Sequence, residues 1–364
     1  MSESVSFDSI REGLRSDDFD DQQEALYELF EAATEAEDWS QFEPLVEDLE
    51  SVLDADPYVR EGAINALYRL DVLSVDHVQR LDEIVQGDDS RLGFRTVDVL
   101  FERSKQEPEA VVPIASSMID FLVIRDWLAE DASDETPGSE LREEDGVEIV
   151  EHSSPRGKQL HAARRFKADT LLSTVAEREP AALVPKIDEF VATAGRDDYD
   201  DLRSRILETA TLVAETHAEE CEAAIEPAAD VVATTENAKI RTKATYLLAM
   251  VAEAHLETVA ETVEPHLETL FEMLESVYSD EQNAAISLLS YVAEVRPEEV
   301  DAARDQIVTL LDHHIEGVRG SAIWTLEYIG DESVVADLDA VAESDPNEDI
   351  RDLAAEASAS LTAD

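Results

Sequence analysis

Sixteen residues carry the sharpest chemical contrast in this 364-residue chain. From Ser153 to Ala168 there is no carboxylate, while Arg156, Lys158, Arg164, Arg165 and Lys167 supply five positive charges in a chain of formal net charge −59. Cations gathered against an acidic background can hold an anion, whether a nucleic-acid phosphate or an acidic protein segment. Further cations follow as pairs two residues apart, Arg203 with Arg205 and Arg241 with Lys243. Residues suited to covalent or metal chemistry are sparser. Cys221 is the one cysteine, so no internal disulfide forms, and it sits between Glu219, Glu220 and Glu222, whose charges raise a thiol pKa and quiet the nucleophile. Among eight histidines only His313 and His314 are adjacent, and neighbours on a helix point about 100° apart, which disfavours a shared metal. Zinc-spaced Cys/His clusters, Gly-rich phosphate loops, nucleophile elbows, His-Glu-x-x-His and calcium-loop patterns are all missing from the sequence. No catalytic, cofactor-binding or metal site is expected. With 87 acidic residues, chance carboxylate pairs carry no catalytic information.

The acids outnumber 28 basic residues but are spread along the whole chain, and 44% of the residues are hydrophobic. A disordered acidic chain lacks that apolar fraction, so the excess belongs to the surface of a folded protein. Such a surface repels itself unless counterions screen it over a few ångströms, as at molar salt. Only six of the basic residues are lysine. Many carboxylates with little lysine resembles the proteins of halophilic, typically archaeal, cytoplasms rich in KCl; the alternative is an acidic protein adapted to a basic partner. The first residues, Met-Ser-Glu-Ser-Val-Ser-Phe-Asp, have neither a basic nor an apolar leader region, and no apolar run approaches the roughly 18 residues needed to span a bilayer. A cytoplasmic protein without membrane insertion is expected.

The cations mark a period. Arg165-Phe-Lys-Ala-Asp-Thr-Leu-Leu aligns with Arg241-Thr-Lys-Ala-Thr-Tyr-Leu-Leu, and Arg203 falls between them at steps of 38 residues. Val184-Pro185, Glu226-Pro227 and Glu264-Pro265 mark the other half of the unit, and Asp54-Ala-Asp-Pro-Tyr-Val-Arg60 recurs as Asp345-Pro-Asn-Glu-Asp-Ile-Arg351 and, more loosely, around Val318-Arg319. Within each unit apolar residues fall at helical spacing, as at Ala63, Leu67 and Leu70, and the units break at Pro, Gly or Asp clusters. Each unit is therefore a helical hairpin, which buries its apolar stripe only by stacking on its neighbours. Second helices are expected to begin near Phe19, Pro57, Ser90, Lys158, Tyr199, Asn237, Asp280, Gly317 and Asn347. Asp-Pro, then Val-Arg or Ile-Arg opening a second helix, then small residues and Leu, resembles the HEAT family, including the HEAT-like repeats of bilin lyases. The resemblance implies an all-α, right-handed α-solenoid, a superhelix of about nine HEAT-like hairpins. Around Asp280-Glu-Gln-Asn the arginine is missing, so the stack is expected to be irregular there.

The expected organisation is residues 1–128 as N-terminal repeats, 129–157 as an acidic loop insertion within the fourth repeat, and 158–364 as C-terminal repeats of one continuous superhelix. The insertion holds ten acidic and two basic residues, and Val147-Glu-Ile-Val150 alternates like one strand of a small hairpin. A loop this long is either functional or without structure of its own; it is an inert solvated arm or a binding arm over the groove. The 38-residue period brings Arg165, Arg203 and Arg241 into register. They form either an ion-pair ladder within the stack or, with Arg156, Lys158, Arg164, Lys167, Arg205 and Lys243, a basic strip for a partner. Residues two apart on a helix diverge by about 200°, so one member of each pair braces while the other faces outward. Trp39, Trp127, Trp324 and Tyr328 are either interface anchors or packing residues.

The role that the resemblance implies is a non-enzymatic scaffold or adaptor, with a protein partner in the concave groove beside the insertion and the basic strip of repeats 4–6, near Trp127. Nucleic acid is disfavoured, because phosphate contacts weaken steeply with salt. HEAT-like hydroxylases use His-Glu dipeptides, and none of the eight histidines here precedes Glu; nothing specifies a bilin pocket either. Charge reversal at Arg203 and Arg241 is expected to abolish partner binding if the strip is the docking site, as a pull-down would show; unchanged binding would remove the strip.

Overall fold

A computed structural model describes residues 7–36, 39–70, 72, 97–102, 104–105, 108–123, 142–144, 147–149, 155–196 and 199–363. Trp127, most of the insertion and the second helix expected near Ser90 lie outside the described residues. So do the side chains of Arg156, Lys158 and Arg164, although their backbone is helical. The chain divides into two compact units, Met1–Ala182 and Leu183–Asp364.

In the first unit, α1 (Phe7–Leu14) packs on α2 (Phe19–Ala36), and α3 (Val46–Ser51) on α4 (Pro57–Arg69). Farther along, α5 (Ala115–Val123) packs on α6 (Pro155–Arg178). Between these last two, β1 (Arg142–Glu144) pairs antiparallel with β2 (Val147–Ile149), so the insertion does carry a small hairpin. The second unit is a two-layer stack. Its second helices are α8 (Asp200–His217), α10 (Ala238–Ala252), α13 (Ser279–Val295), α15 (Glu316–Ile329) and α17 (Glu348–Thr362), each packed on the one before. First helices α7 (Ile187–Arg196), α9 (Ile225–Thr234), α11 (Leu256–Val263), α12 (Leu267–Leu274), α14 (Arg304–Thr309) and α16 (Val335–Ser344) form the other layer. This is an all-α repeat architecture. Among the expected starts, those at Tyr199, Asn237, Asp280, Gly317 and Asn347 fall within one residue of the observed helices, whereas α6 begins at Pro155 rather than Lys158.

The helices start where side chains replace missing backbone partners. Asn237 accepts from the Lys239 and Ile240 N–H groups, Asp56 from Tyr58, with Pro57 as the first helical residue, and Asn347 from Asp349. Each second helix then buries one stripe; in α10 it is Ile240, Ala244, Leu247, Leu248 and Val251. At the end of α15 the chain reverses through Gly330, whose φ of 76° lies in the left-handed region that glycine enters without strain.

A repeated polar joint ties these hairpins together. Two residues before five of the N-caps, a side chain accepts the N-cap's own backbone N–H: Ser16 from Asp18, Thr235 from Asn237, Ser276 from Tyr278, His313 from Ile315, Asp345 from Asn347. Four residues after the N-cap, a long donor reaches back to a carbonyl near the end of the preceding element. Gln22 donates to the Ser16 carbonyl, Arg203 to Ala194, Gln282 to Leu274, Arg319 to His313 and Arg351 to Asp345. These carbonyls are left over where a helix or turn runs out. The same donors engage the following repeat: Arg203 meets Thr235 at 3.2 Å, Gln282 meets His313 at 3.1 Å, and Arg319 grips both oxygens of Asp345 at 2.6 and 2.9 Å. Arg241 grips Glu281 instead, a carboxylate that also accepts from Ser276.

Gln282 thus stands where the sequence lacks the arginine, and the irregularity expected there is not found: α13 packs on both α10 and α15. An amide reaches the same carbonyl, and His313 supplies the partner that a carboxylate supplies elsewhere. Arg319 and Asp345 are both buried, 7% and 8% exposed. Removing one partner of such a pair strands the other charge. Arg319→Ala is expected to cost about 3–5 kcal/mol in urea unfolding at fixed molar salt; a loss below about 1 kcal/mol would show that the joint does not hold the last repeats.

Candidate functional site

Three neighbouring second helices carry one chemical pattern. Nine residues after the N-caps Asn237, Tyr278 and Ile315 stand Tyr246, Ser287 and Trp324; four residues further stand Met250, Tyr291 and Tyr328. Positions four apart share a helix face, so the two sets form parallel columns across α10, α13 and α15. They line a groove of about 350 Å³, with small side chains at Ala249, Ser290 and Ser321 and no side chain at Gly320 leaving the space between them. Trp324 is 49% exposed, and the tyrosines and Met250 are half-buried. The repeats on either side break the pattern: α8 has Glu208 and Leu212 at these positions, and α17 has Glu356 and Ser360.

Carboxylates rim the rings. Burial raises the phenol pKa of Tyr291, and the charges of Glu253 and Glu294 raise it further. Burial again leads for Tyr328, followed by the neighbouring carboxylate of Glu294 and then the charge of Glu327. Tyr246 is raised by burial and by Asp280, against the lowering effect of a hydrogen bond from Asn283 at 2.6 Å. Glu294 is the single charged group among the groove's lining side chains.

The cations singled out from the sequence whose side chains are described lie elsewhere in the architecture, and they are engaged. Arg165 is buried and donates to the Leu122 carbonyl at 3.0 Å, across the insertion. Lys167 pairs with Asp98 at 2.6 Å and lies 5.5 Å from the Phe101 ring centre. Arg203 and Arg241 occupy the joints described above; Lys243 pairs with Glu208 on the preceding second helix at 3.1 Å, and Arg205 is half-buried on α8. Of the candidate aromatics, Trp39 packs between Phe30 and Phe42 with Arg69 over its ring, whereas Trp324 and Tyr328 enter the groove. Cys221 is buried, its thiol pushed up to about 11 by burial first and by Glu220 second. The sequence pointed only to the carboxylates. Among the described residues no group of three or more His, Cys, Asp or Glu side chains is placed to hold a metal ion, and no helix is long and apolar enough to cross a membrane.

Residues 267–359, which include the last three joints, match the family described as HEAT repeats. This C-terminal part of the chain carries HEAT repeats. No curated protein matches it. Its fold is similar to a solved structure from work on a phosphorylation switch controlling the interaction between cadherin and beta-catenin, at 12% identity over 98% of this chain and 68% of that one, with a TM-score of 0.60. A designed armadillo repeat protein in complex with the peptide (KR)4 aligns over 55% of this chain and 94% of its own, at 17% identity and a TM-score of 0.45. Identities this low describe fold alone.

One of these joints is built on a titratable side chain. The Nδ1 of His313 accepts the Ile315 N–H at 3.1 Å, which leaves Nε2 as the donor to Gln282. Burial, then His314 and Arg319, hold its pKa below the ordinary 6.5. A depressed pKa means that the unfolded chain takes the proton first, so the joint's contribution is complete above about pH 6.5 and is lost as pH falls through the folded value. His313→Asn keeps an acceptor for Ile315 without titrating. Thermal unfolding at fixed KCl is expected to show wild type losing ground to this variant between pH 7 and 5; a constant difference would mean that His313 does not titrate in the joint.

Proposed function

We propose that this protein is a non-enzymatic scaffold that holds a protein partner on the second-helix face of residues 238–329. The observation that carries the reading is the set of four rings, Tyr246, Tyr291, Trp324 and Tyr328, that three consecutive second helices leave partly exposed in one groove and that the equivalent positions on either side lack. Fold stability alone favours burying such rings. Rings left in a groove are what interfaces use as anchors, because they bring large contact area with few rotatable bonds. A role without catalysis agrees with a thiol that burial keeps protonated and with histidine nitrogens occupied in a joint.

The basic strip near the insertion is the weaker docking surface, since Arg165, Lys167, Arg203, Arg241 and Lys243 each have a partner within the stack. Charge reversal at Arg203 or Arg241 would therefore break joints as well as any strip. The net charge of −59 with six lysines supports a further part of the reading, that the protein works in a halophile's cytoplasm at molar KCl. Full-length protein and the Tyr291→Ala/Trp324→Ala variant, used as baits at molar KCl, test the groove. A partner retained by wild type is expected to be lost from the variant, with its thermal midpoint little changed. Equal retention by both would overturn the assignment.

A further inference from the structure

We infer that the groove's occupant is a cationic segment of the partner protein, with arginine side chains laid over the rings of Trp324, Tyr291 and Tyr328 and their charge met by Glu294. This rests on the scaffold reading and names the chemistry of the ligand. Its first support is the sign of the site. Glu294 is the one charge in the lining, Glu253 acts on Tyr291 and Glu327 on Tyr328 from the rim, Asp280 acts on the neighbouring Tyr246, and no cation lines the groove. An acidic peptide or a nucleic-acid backbone would meet repulsion from every side, and only a cation gains from the arrangement.

The second support is the rings themselves. An aromatic face is the negative end of a quadrupole, and a guanidinium stacked on it keeps its edge free for a carboxylate. Glu294 lines the groove and its charge acts on both Tyr291 and Tyr328, so a carboxylate stands beside the rings on which the guanidinium would rest. A volume of about 350 Å³ lies at the small end of ligand pockets, roughly 300–1,000 Å³. It takes individual side chains of a segment, not a folded domain.

The third support is the charge of the whole protein. A chain of net charge −59 attracts any polycation at low salt, which confers no selectivity. In molar salt that diffuse attraction is screened beyond about 3 Å. Only contact interactions survive, and a ring face with a fixed carboxylate is a contact interaction. The groove supplies the short-range selectivity that the surface charge cannot.

The test uses full-length protein with fluorescein-labelled hexa-arginine, hexalysine and hexaglutamate peptides in 2 M KCl, read by fluorescence anisotropy. Hexa-arginine is expected to bind, hexalysine more weakly, and hexaglutamate not at all. Trp324→Ala and Glu294→Gln are each expected to weaken hexa-arginine binding about tenfold. Glu356→Gln, which removes an equal charge from the exposed face of α17 outside the groove, is expected to leave it unchanged. Circular dichroism and the thermal midpoint confirm that each variant is folded. The proposal is overturned if hexa-arginine fails to bind at 2 M KCl, if the three variants behave alike, or if hexaglutamate binds as well. The bait experiment separates the two levels: a partner lost with Trp324 and Tyr291 but indifferent to Glu294→Gln leaves the scaffold standing and removes the cationic occupant.

Discussion

A long donor four residues inside most of the second helices, reaching back to the carbonyls that end the preceding element, is the contact on which the stack depends. Helical hairpins bury apolar stripes against their neighbours, but that burial is non-directional and would tolerate sliding by a turn. The joint removes that freedom. Because Arg203, Gln282 and Arg319 each bind one group in their own hairpin and one in the next, they fix both the turn angle and the register between repeats. Hydrogen bonds of this kind contribute about 0.5–1.5 kcal/mol each, or about 1.5–3 when charged, little beside the buried apolar surface. Their value lies in selecting one arrangement from several of similar burial.

The register set by these joints is what makes a groove possible. Tyr246 on α10, Tyr291 on α13 and Tyr328 on α15 come together because successive second helices lie side by side in register, Tyr291 and Tyr328 at equivalent positions and Tyr246 about one turn nearer its N-cap; a slip of one residue would turn a column by about 100°. The acidity of the chain acts on a different scale. Spread over the surface it governs solubility and salt requirement, while the joints and the groove work at contact distance, where screening has little effect on partly buried groups.

Much of this was legible in the sequence, and the gaps have physical causes. The 38-residue step through Arg165, Arg203 and Arg241 located the second helices; Arg203 and Arg241 stand at a fixed distance from their N-caps because that distance is set by the side chain's reach, whereas Arg165 lies deeper in a helix that begins at Pro155. The same marker failed at Gln22 and Gln282, because the joint needs a long donor rather than a charge. Its counterpart two residues before the N-cap showed only at Asp345, within the recurring motif; Ser16, Thr235 and His313 share with it nothing but an acceptor atom at the right height. The cations were conspicuous as a candidate site because of their contrast with the background, yet contrast in composition does not reveal a partner such as Asp98 or Glu208, which only the packing brings close. For the aromatics, spacing by four inside an apolar helix cannot tell an inward face from an outward one. Trp324 and Tyr328 stood out as possible anchors, but the columns they join are visible only once the repeats are stacked.

The bond from Arg165 to the Leu122 carbonyl gives the insertion an unusual standing in the chain. It makes, across more than forty positions, a contact like those its counterparts make across six to nine. Whatever lies between those two residues enters and leaves the repeat array at a point already locked, so its length and composition are decoupled from the lattice on either side. Closing a longer loop costs only logarithmically more entropy. The position is a docking port in the genetic sense, a place where sequence can be added, exchanged or removed while the scaffold around it keeps its dimensions.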